Sequence, residues 1–132
     1  MKLFMPLCRA AMLIPSGPES DPDRKHLFIL MTDPVTQEEV VLIVSVSTAK
    51  DGIYHDPACL LFKGDHSFIR HKSYVLYSKA RILPANDLLR GFNAGKFEAK
   101  EAMDTAIFAR ICAGLIDSRH TPPKIKTWYQ NL

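Results

Sequence analysis

The segment from Gly64 to Ser73 carries the densest set of chemically active side chains in this sequence. It contains two of the five histidines, His66 and His71, together with one aspartate, one arginine, one lysine and two serines. Histidine can exchange a proton near neutral pH, and arginine or lysine beside it suits a phosphate-bearing substrate. The segment therefore predicts either an acid–base site that acts on a phosphate or a solvated loop.

Cleavage of RNA is a reaction that these side chain types fit. Attack by a 2′-hydroxyl needs a base for that hydroxyl, an acid for the leaving oxygen and cations at the phosphate. His66 and His71 are the candidate acid–base pair, and Arg70 or Arg81 is the candidate phosphate ligand. An extended chain would turn the two rings to opposite sides, because five positions separate them, whereas a loop could bring them together. The alternative for both histidines is a structural hydrogen bond.

Metal binding is a competing interpretation of the same region. The side chains that could ligate zinc or another transition metal are His55, Asp56, Cys59, Asp65, His66 and His71. None of them shows a recognised ligand spacing, so we predict no metal site and no cofactor. Asp65 is expected to orient His66 or to cap a turn after Gly64, and Cys59 is expected in the core.

Length and composition predict one compact α+β domain over residues 1–132. The chain is 47% hydrophobic and 23% charged, with a net charge of +3, which permits a local nucleic-acid-binding patch without requiring one. Its cysteines, Cys8, Cys59 and Cys112, are scattered and odd in number, which favours a reducing cytoplasm over a disulfide framework. The apolar N-terminus is broken by Pro6 and ended by Arg9, which argues against secretion, and no segment is long enough to span a membrane.

Hydrophobic runs and turn formers predict the elements that must position these residues. Five runs are predicted to be strands: Ala10–Ile14, His26–Met31, Val40–Val46, Ala58–Phe62 and Ser73–Leu83. The second and third should form a hairpin buried on both faces, and residues 15–25 between the first two should be a mobile loop. Helices are predicted over Ala85–Gly95 and Ala102–Ile116, followed by a terminal tail over residues 117–132. Strands followed by helices predict a small barrel-like sheet with a C-terminal helix.

The tail combines cations with aromatic rings at Lys124, Lys126, Trp128 and Tyr129. Single-stranded nucleic acid is bound by such combinations, but anchoring of the tail on the domain by Trp128 is the favoured interpretation. Tyr74 and Tyr77 are likewise expected to pack in the sheet rather than to stack on bases.

Several short motifs, taken in order over residues 10 to 116, resemble the PemK/MazF-like toxin family. Lys25–Asp33 resembles the family's basic residue leading into an apolar strand, and Ser45–Thr48 resembles the end of its next strand. Ser73–Val75 and Ala80–Ile82 resemble a later strand that runs into an arginine, and a closing helix follows in both.

The resemblance implies an SH3-like β-barrel with a C-terminal helix, acting as the endoribonuclease toxin of a toxin–antitoxin pair. Such toxins cleave single-stranded RNA without a metal. The resemblance also implies a homodimer held by a cognate antitoxin. It also implies that Lys25 or His26 stabilises the phosphate or acts as acid, and that Thr48 or Ser47 supplies a hydroxyl. Arg70 and Lys72, with Ser47, complete the predicted site as substrate-binding residues.

Two other functions stay open. The family's arginine–proline pair before its second strand is absent, and so is the carboxylate that some members carry near Tyr77 and Ser78. These differences favour a catalytically silent SH3-like barrel that binds a protein or nucleic-acid partner. The third hypothesis is a metal-dependent hydrolase that uses the histidine cluster.

Overall fold

The computed structural model describes residues 4–132, which adopt an α+β fold, as predicted. Within these residues the chain forms seven β-strands and three α-helices. The strands are β1 Ala11–Pro15, β2 Lys25–Leu30, β3 Val40–Thr48, β4 Leu60–Leu61, β5 Ser73–Val75, β6 Arg81–Pro84 and β7 Glu98–Lys100. The helices are α1 Ala85–Asn93, α2 Thr105–Asp117 and α3 Pro123–Gln130.

The strands form one antiparallel sheet in the order β4-β5-β3-β2-β1-β7, and β6 also pairs with β3. Among residues 4–132 no strand pairing joins β4 to β7, so the sheet is open and the predicted barrel is not closed. The edge strands are only two and three residues long. Barrel closure needs a continuous, staggered ladder between the first and last strands, which such short edges do not provide.

The predicted strand Ser73–Leu83 is two strands, and this part of the prediction was wrong. β5 pairs with the end of β3 and β6 pairs with its beginning, along the same edge. Between them lies a short 3-10 helix, Tyr77–Lys79. Its Tyr77 side chain is fully buried, and the hydroxyl donates a hydrogen bond to the carbonyl of Ile111 at 2.6 Å. That buried contact with α2 accounts for the break in the strand.

The sheet is buried on both faces around the predicted hairpin of β2 and β3. Alternate residues of β3 point to opposite faces, so that Val44 lies beneath α2 while Val41 lies on the α1 side. A strand that is apolar on both faces reads as an unbroken β-branched run, which is why this pair was predictable from the sequence.

The helices close the two apolar faces. α2 begins after Asp104, whose carboxylate accepts hydrogen bonds from the backbone N–H groups of Ala106 and Ile107, so it starts three residues later than predicted. The terminal tail contains α3, a helix that was not predicted. Trp128 of that helix packs against the core, which confirms its predicted anchoring role.

Among residues 4–132, none of the helices has the length and apolarity that crossing a membrane requires.

Candidate functional site

A cleft opens where β2 and β3 part. Their ladder ends at the pair Leu27 and Val46. Beyond it, β2 continues beside β1 as far as Lys25, while β3 continues beside β5 as far as Thr48. The space between the diverging strand ends has a volume of about 930 Å³, and we call it the β2–β3 cleft.

The β2–β3 cleft is lined by positive charge. Five of its described lining residues are lysines or arginines, three are histidines, and none is an aspartate or glutamate. The cations are Arg24, Lys25, Lys50, Arg70 and Lys100, and the histidines are His26, His55 and His71. Because a cleft with one sign of charge concentrates counter-charged ligands, this cleft suits a polyanion.

Two of the cations are held by a single carboxylate at the rim. Glu98 lies 3.2 Å from the Lys100 ammonium and 3.6 Å from the Lys25 ammonium. The hydrogen bond and charge of Lys100, with a smaller contribution from Lys25, lower the pKa of Glu98 below its ordinary value. All three groups are partly exposed, so the pairs are weak and a phosphate can exchange for the carboxylate.

His26 has the geometry of a proton acceptor. Its Nδ1 lies 2.8 Å from the Ser16 hydroxyl oxygen, and that hydroxyl donates its one proton to the carbonyl of Ile14 at 3.1 Å. In the tautomer with the ring proton on Nδ1, Nδ1–H donates to the Ser16 hydroxyl and the lone pair of Nε2 is left to act as a base. Partial burial and, to a lesser extent, the Arg24 charge lower the pKa of His26, so the neutral ring prevails at pH 7.

The two predicted hydroxyls lie on the opposite side of the same cleft. Ser47 and Thr48 are the last residues of β3 and pair with Tyr74 and Ser73. Alternate residues of a strand face opposite ways, so Thr48 shares its face with Val46. The structure thus places Lys25, His26, Ser47 and Thr48 around one cleft.

His66, by contrast, lies outside the cleft lining. Its ring is 1% exposed, and its Nε2 donates to the carbonyl of Glu101 at 2.8 Å while its Nδ1 accepts from the N–H of Phe68 at 3.1 Å. With both nitrogens bonded to the backbone, the ring has no free position for a substrate proton. This geometry gives no support to the predicted catalytic role and assigns the ring to fixing its loop.

The same loop still reaches the cleft through other residues. Arg70, which was predicted to bind phosphate, and His71, one of the two predicted histidines, are exposed and line the cleft. Lys72 is exposed but lies outside the lining. Arg81 is also outside it, because it lies on β6 with its guanidinium 5.8 Å from the centre of the Phe28 ring. Neither residue is part of the described lining of the cleft.

The candidate metal ligands are not brought together. Within residues 4–132, no group of three or more histidine, cysteine, aspartate or glutamate side chains is arranged to hold an ion. Asp56 bonds the hydroxyl of Ser118 at 2.5 Å, and Asp65 accepts from the N–H of Phe62 at 2.8 Å, which confirms its turn-capping role. Cys59 is buried, as expected.

Several residues of the cleft and its rim had no signal in the sequence. Lys50 follows a strand end, and Glu98 and Lys100 lie on a three-residue strand that is too short to show periodicity. Tyr74 was expected to be packing alone, but it lines the cleft and stacks beside His55, with ring centres 5.3 Å apart.

Comparisons with protein-family models, curated proteins and solved structures found no match to this chain.

Proposed function

We propose that this protein is an endoribonuclease that cleaves single-stranded RNA in the β2–β3 cleft. One observation carries the proposal: His26 lies in a cleft whose described lining has five cations and no carboxylate. Phosphodiesters bring the negative charge, and the 2′-hydroxyl of RNA brings the nucleophile that such a base activates.

The reaction balances with side chains of the cleft. His26 Nε2 removes the proton of the 2′-hydroxyl, the 2′-oxygen bonds to phosphorus, and the bond from phosphorus to the 5′-oxygen breaks. His71, on the facing loop, returns a proton to that leaving oxygen. Lys25 and Arg70 stabilise the charge that grows on the phosphate oxygens. The products are a 2′,3′-cyclic phosphate and a 5′-hydroxyl.

The wider identity rests on the resemblance and is proposed with it. The chain would be a PemK/MazF-like toxin, acting in the cytoplasm as a homodimer and restrained by an antitoxin. Pairing of both β5 and β6 along one edge of β3 supports an opened relative of the SH3-like barrel. An acidic antitoxin segment would compete with RNA for the same cations.

The test uses end-labelled, unstructured RNA in EDTA with four proteins: wild type, His26→Ala, Arg70→Ala and Lys96→Ala. Lys96 is exposed and lies outside the cleft, so its variant is the matched control for charge. Loss of general-base catalysis lowers the rate by about 100-fold or more in His26→Ala. Equal rates in all four proteins would refute the proposal, and activity that appears only with added metal would favour the metal-dependent hydrolase.

A second candidate function is binding of single-stranded RNA without cleavage. The observation that favours it is the Lys25–Glu98 pair, because a cation already bonded to a carboxylate gives less stabilisation to a transition state. Tight, salt-dependent binding with no product after prolonged incubation would decide for this candidate.

A further inference from the structure

Aromatic rings stand exposed among the cations of the β2–β3 cleft. Tyr54 is 71% exposed and Phe68 is 40% exposed, and both line the cleft. Two such rings beside positive charges form the combination that binds single-stranded nucleic acids.

Tyr54 is held in place despite its exposure. Its hydroxyl lies 2.8 Å from His120 Nε2, and the two rings meet edge to face with centres 5.6 Å apart. The same loop is fixed by the buried hydrogen bond from the Ser118 hydroxyl to Asp56. A ring that is both exposed and fixed loses little conformational entropy when a ligand stacks on it.

Phe68 is held by the buried histidine of its loop. Its backbone N–H donates to His66 Nδ1, and His66 Nε2 donates in turn to the carbonyl of Glu101. Ser67 adds a hydrogen bond from its hydroxyl to the Glu101 carboxylate at 2.7 Å. These bonds give His66 a function in the site: it fixes the backbone that presents Phe68 to the cleft.

We propose that Tyr54 and Phe68 are stacking platforms for unpaired nucleobases, next to the phosphates that the cleft cations hold. This inference rests on the proposed function and adds the selectivity of the site. The cations bind any phosphate backbone, whereas stacking needs bases released from a duplex. The ligand class is therefore an unpaired, base-bearing strand, and duplexes or strands without bases are discriminated against.

The test measures binding of a fully 2′-O-methylated oligonucleotide, which cannot be cleaved, by fluorescence anisotropy. A second oligonucleotide has the same backbone with abasic sites at its centre. The proteins are wild type, Tyr54→Ala, Phe68→Ala and Phe62→Ala. Phe62 is 48% exposed but lies outside the cleft, which makes it the matched control.

Each cleft substitution is expected to weaken binding of the base-bearing strand about fivefold or more, from the usual energy of one base–aromatic stack. Binding of the abasic strand should be weak and unchanged by these substitutions. Tyr54→Trp, which keeps a ring, should restore affinity, and this separates stacking from misfolding. Equal affinity of wild type for the two strands, or equal losses in Phe62→Ala and Tyr54→Ala, would overturn the inference.

The outcomes separate this inference from the proposed function. Salt-dependent binding with equal affinity for the base-bearing and abasic strands would refute the role of Tyr54 and Phe68 as stacking platforms and leave the proposed endoribonuclease activity intact. Base-dependent binding without cleavage would support the platforms and overturn the endoribonuclease. The absence of any salt-dependent binding would overturn both.

Discussion

Removal of Arg70 gives the most quantitative test of the cleft. Arg70 is exposed on the loop facing the β2–β3 cleft, and it is outside the ion pairs formed within residues 4–132. Each cation that neutralises a phosphate of a single strand contributes about 0.7 to the slope of log affinity against log salt. Arg70→Ala should therefore reduce that slope by about 0.7.

The wild-type slope of log affinity against log salt depends on how many cleft cations stay in ion pairs when the strand binds. All five lining cations together would give a slope of about −3.5. If Arg24 stays with Asp21, and Lys25 and Lys100 stay with Glu98, only Lys50 and Arg70 act, and the slope is about −1.4. Between 50 and 200 mM salt, wild type should lose between about sevenfold and about 130-fold in affinity.

The assay is fluorescence anisotropy of a 2′-O-methylated single strand over that salt range. The factor by which affinity falls across this range should be about 2.6 times smaller for Arg70→Ala than for wild type. Lys96→Ala, which removes the same charge outside the cleft, should keep the wild-type slope. Equal slopes for wild type and Arg70→Ala would refute the assignment of the cleft as the phosphate-binding surface.

Three further predictions follow from single contacts. Glu98→Gln should tighten binding of single strands and steepen the salt slope, because it releases two lysines; weaker binding in the same anisotropy assay would contradict this. The rate of cleavage should rise with pH through the His26 pKa, which is lowered below the usual value of about 6.5, so the acidic limb of the pH–rate profile lies below that pH. In Arg24→Ala the limb should move to higher pH, and an unchanged limb would count against His26 as the base. Gly114→Ala should lower the free energy of unfolding by about 2 kcal/mol in urea titrations, because the new Cβ would overlap the Tyr77 hydroxyl and lie 2.8 Å from its Cζ. In an ordinary helix, glycine to alanine raises stability by about 1 kcal/mol, so the control Ala109→Gly, on the exposed side of α2, should lower the free energy of unfolding by about that amount. A Gly114→Ala protein more stable than wild type would contradict the prediction.

The elements of the fold were predictable where one kind of residue dominates a run. Residues 40–44 and 46 are apolar and all but Leu42 are β-branched, and such a run has few alternatives to a doubly buried strand. α2 combines an N-terminal Asp104 with apolar residues at helical spacing, so its existence was clear although its first residue was not.

The open sheet and its cleft were not predictable in this way. Both depend on where the β2–β3 ladder ends, which is set by competing pairing with β1 and β5. The segment from Gly64 to Ser73 shows the same limit. His66 bonds the backbone of Glu101, which is 35 residues away, and no local pattern distinguishes that buried ring from the exposed His71.

The proposed mechanism depends on His26 acting as the base that removes the proton of the 2′-hydroxyl of RNA. The most direct measurement uses an oligonucleotide that is deoxyribose throughout except for one ribonucleotide, incubated in EDTA with wild type and with His26→Ala. Wild type should cleave at that nucleotide alone and give a 2′,3′-cyclic phosphate and a 5′-hydroxyl, and the rate should fall by about 100-fold or more in the variant. Products that end in a 3′-hydroxyl and a 5′-phosphate, or equal rates for the two proteins, would contradict it.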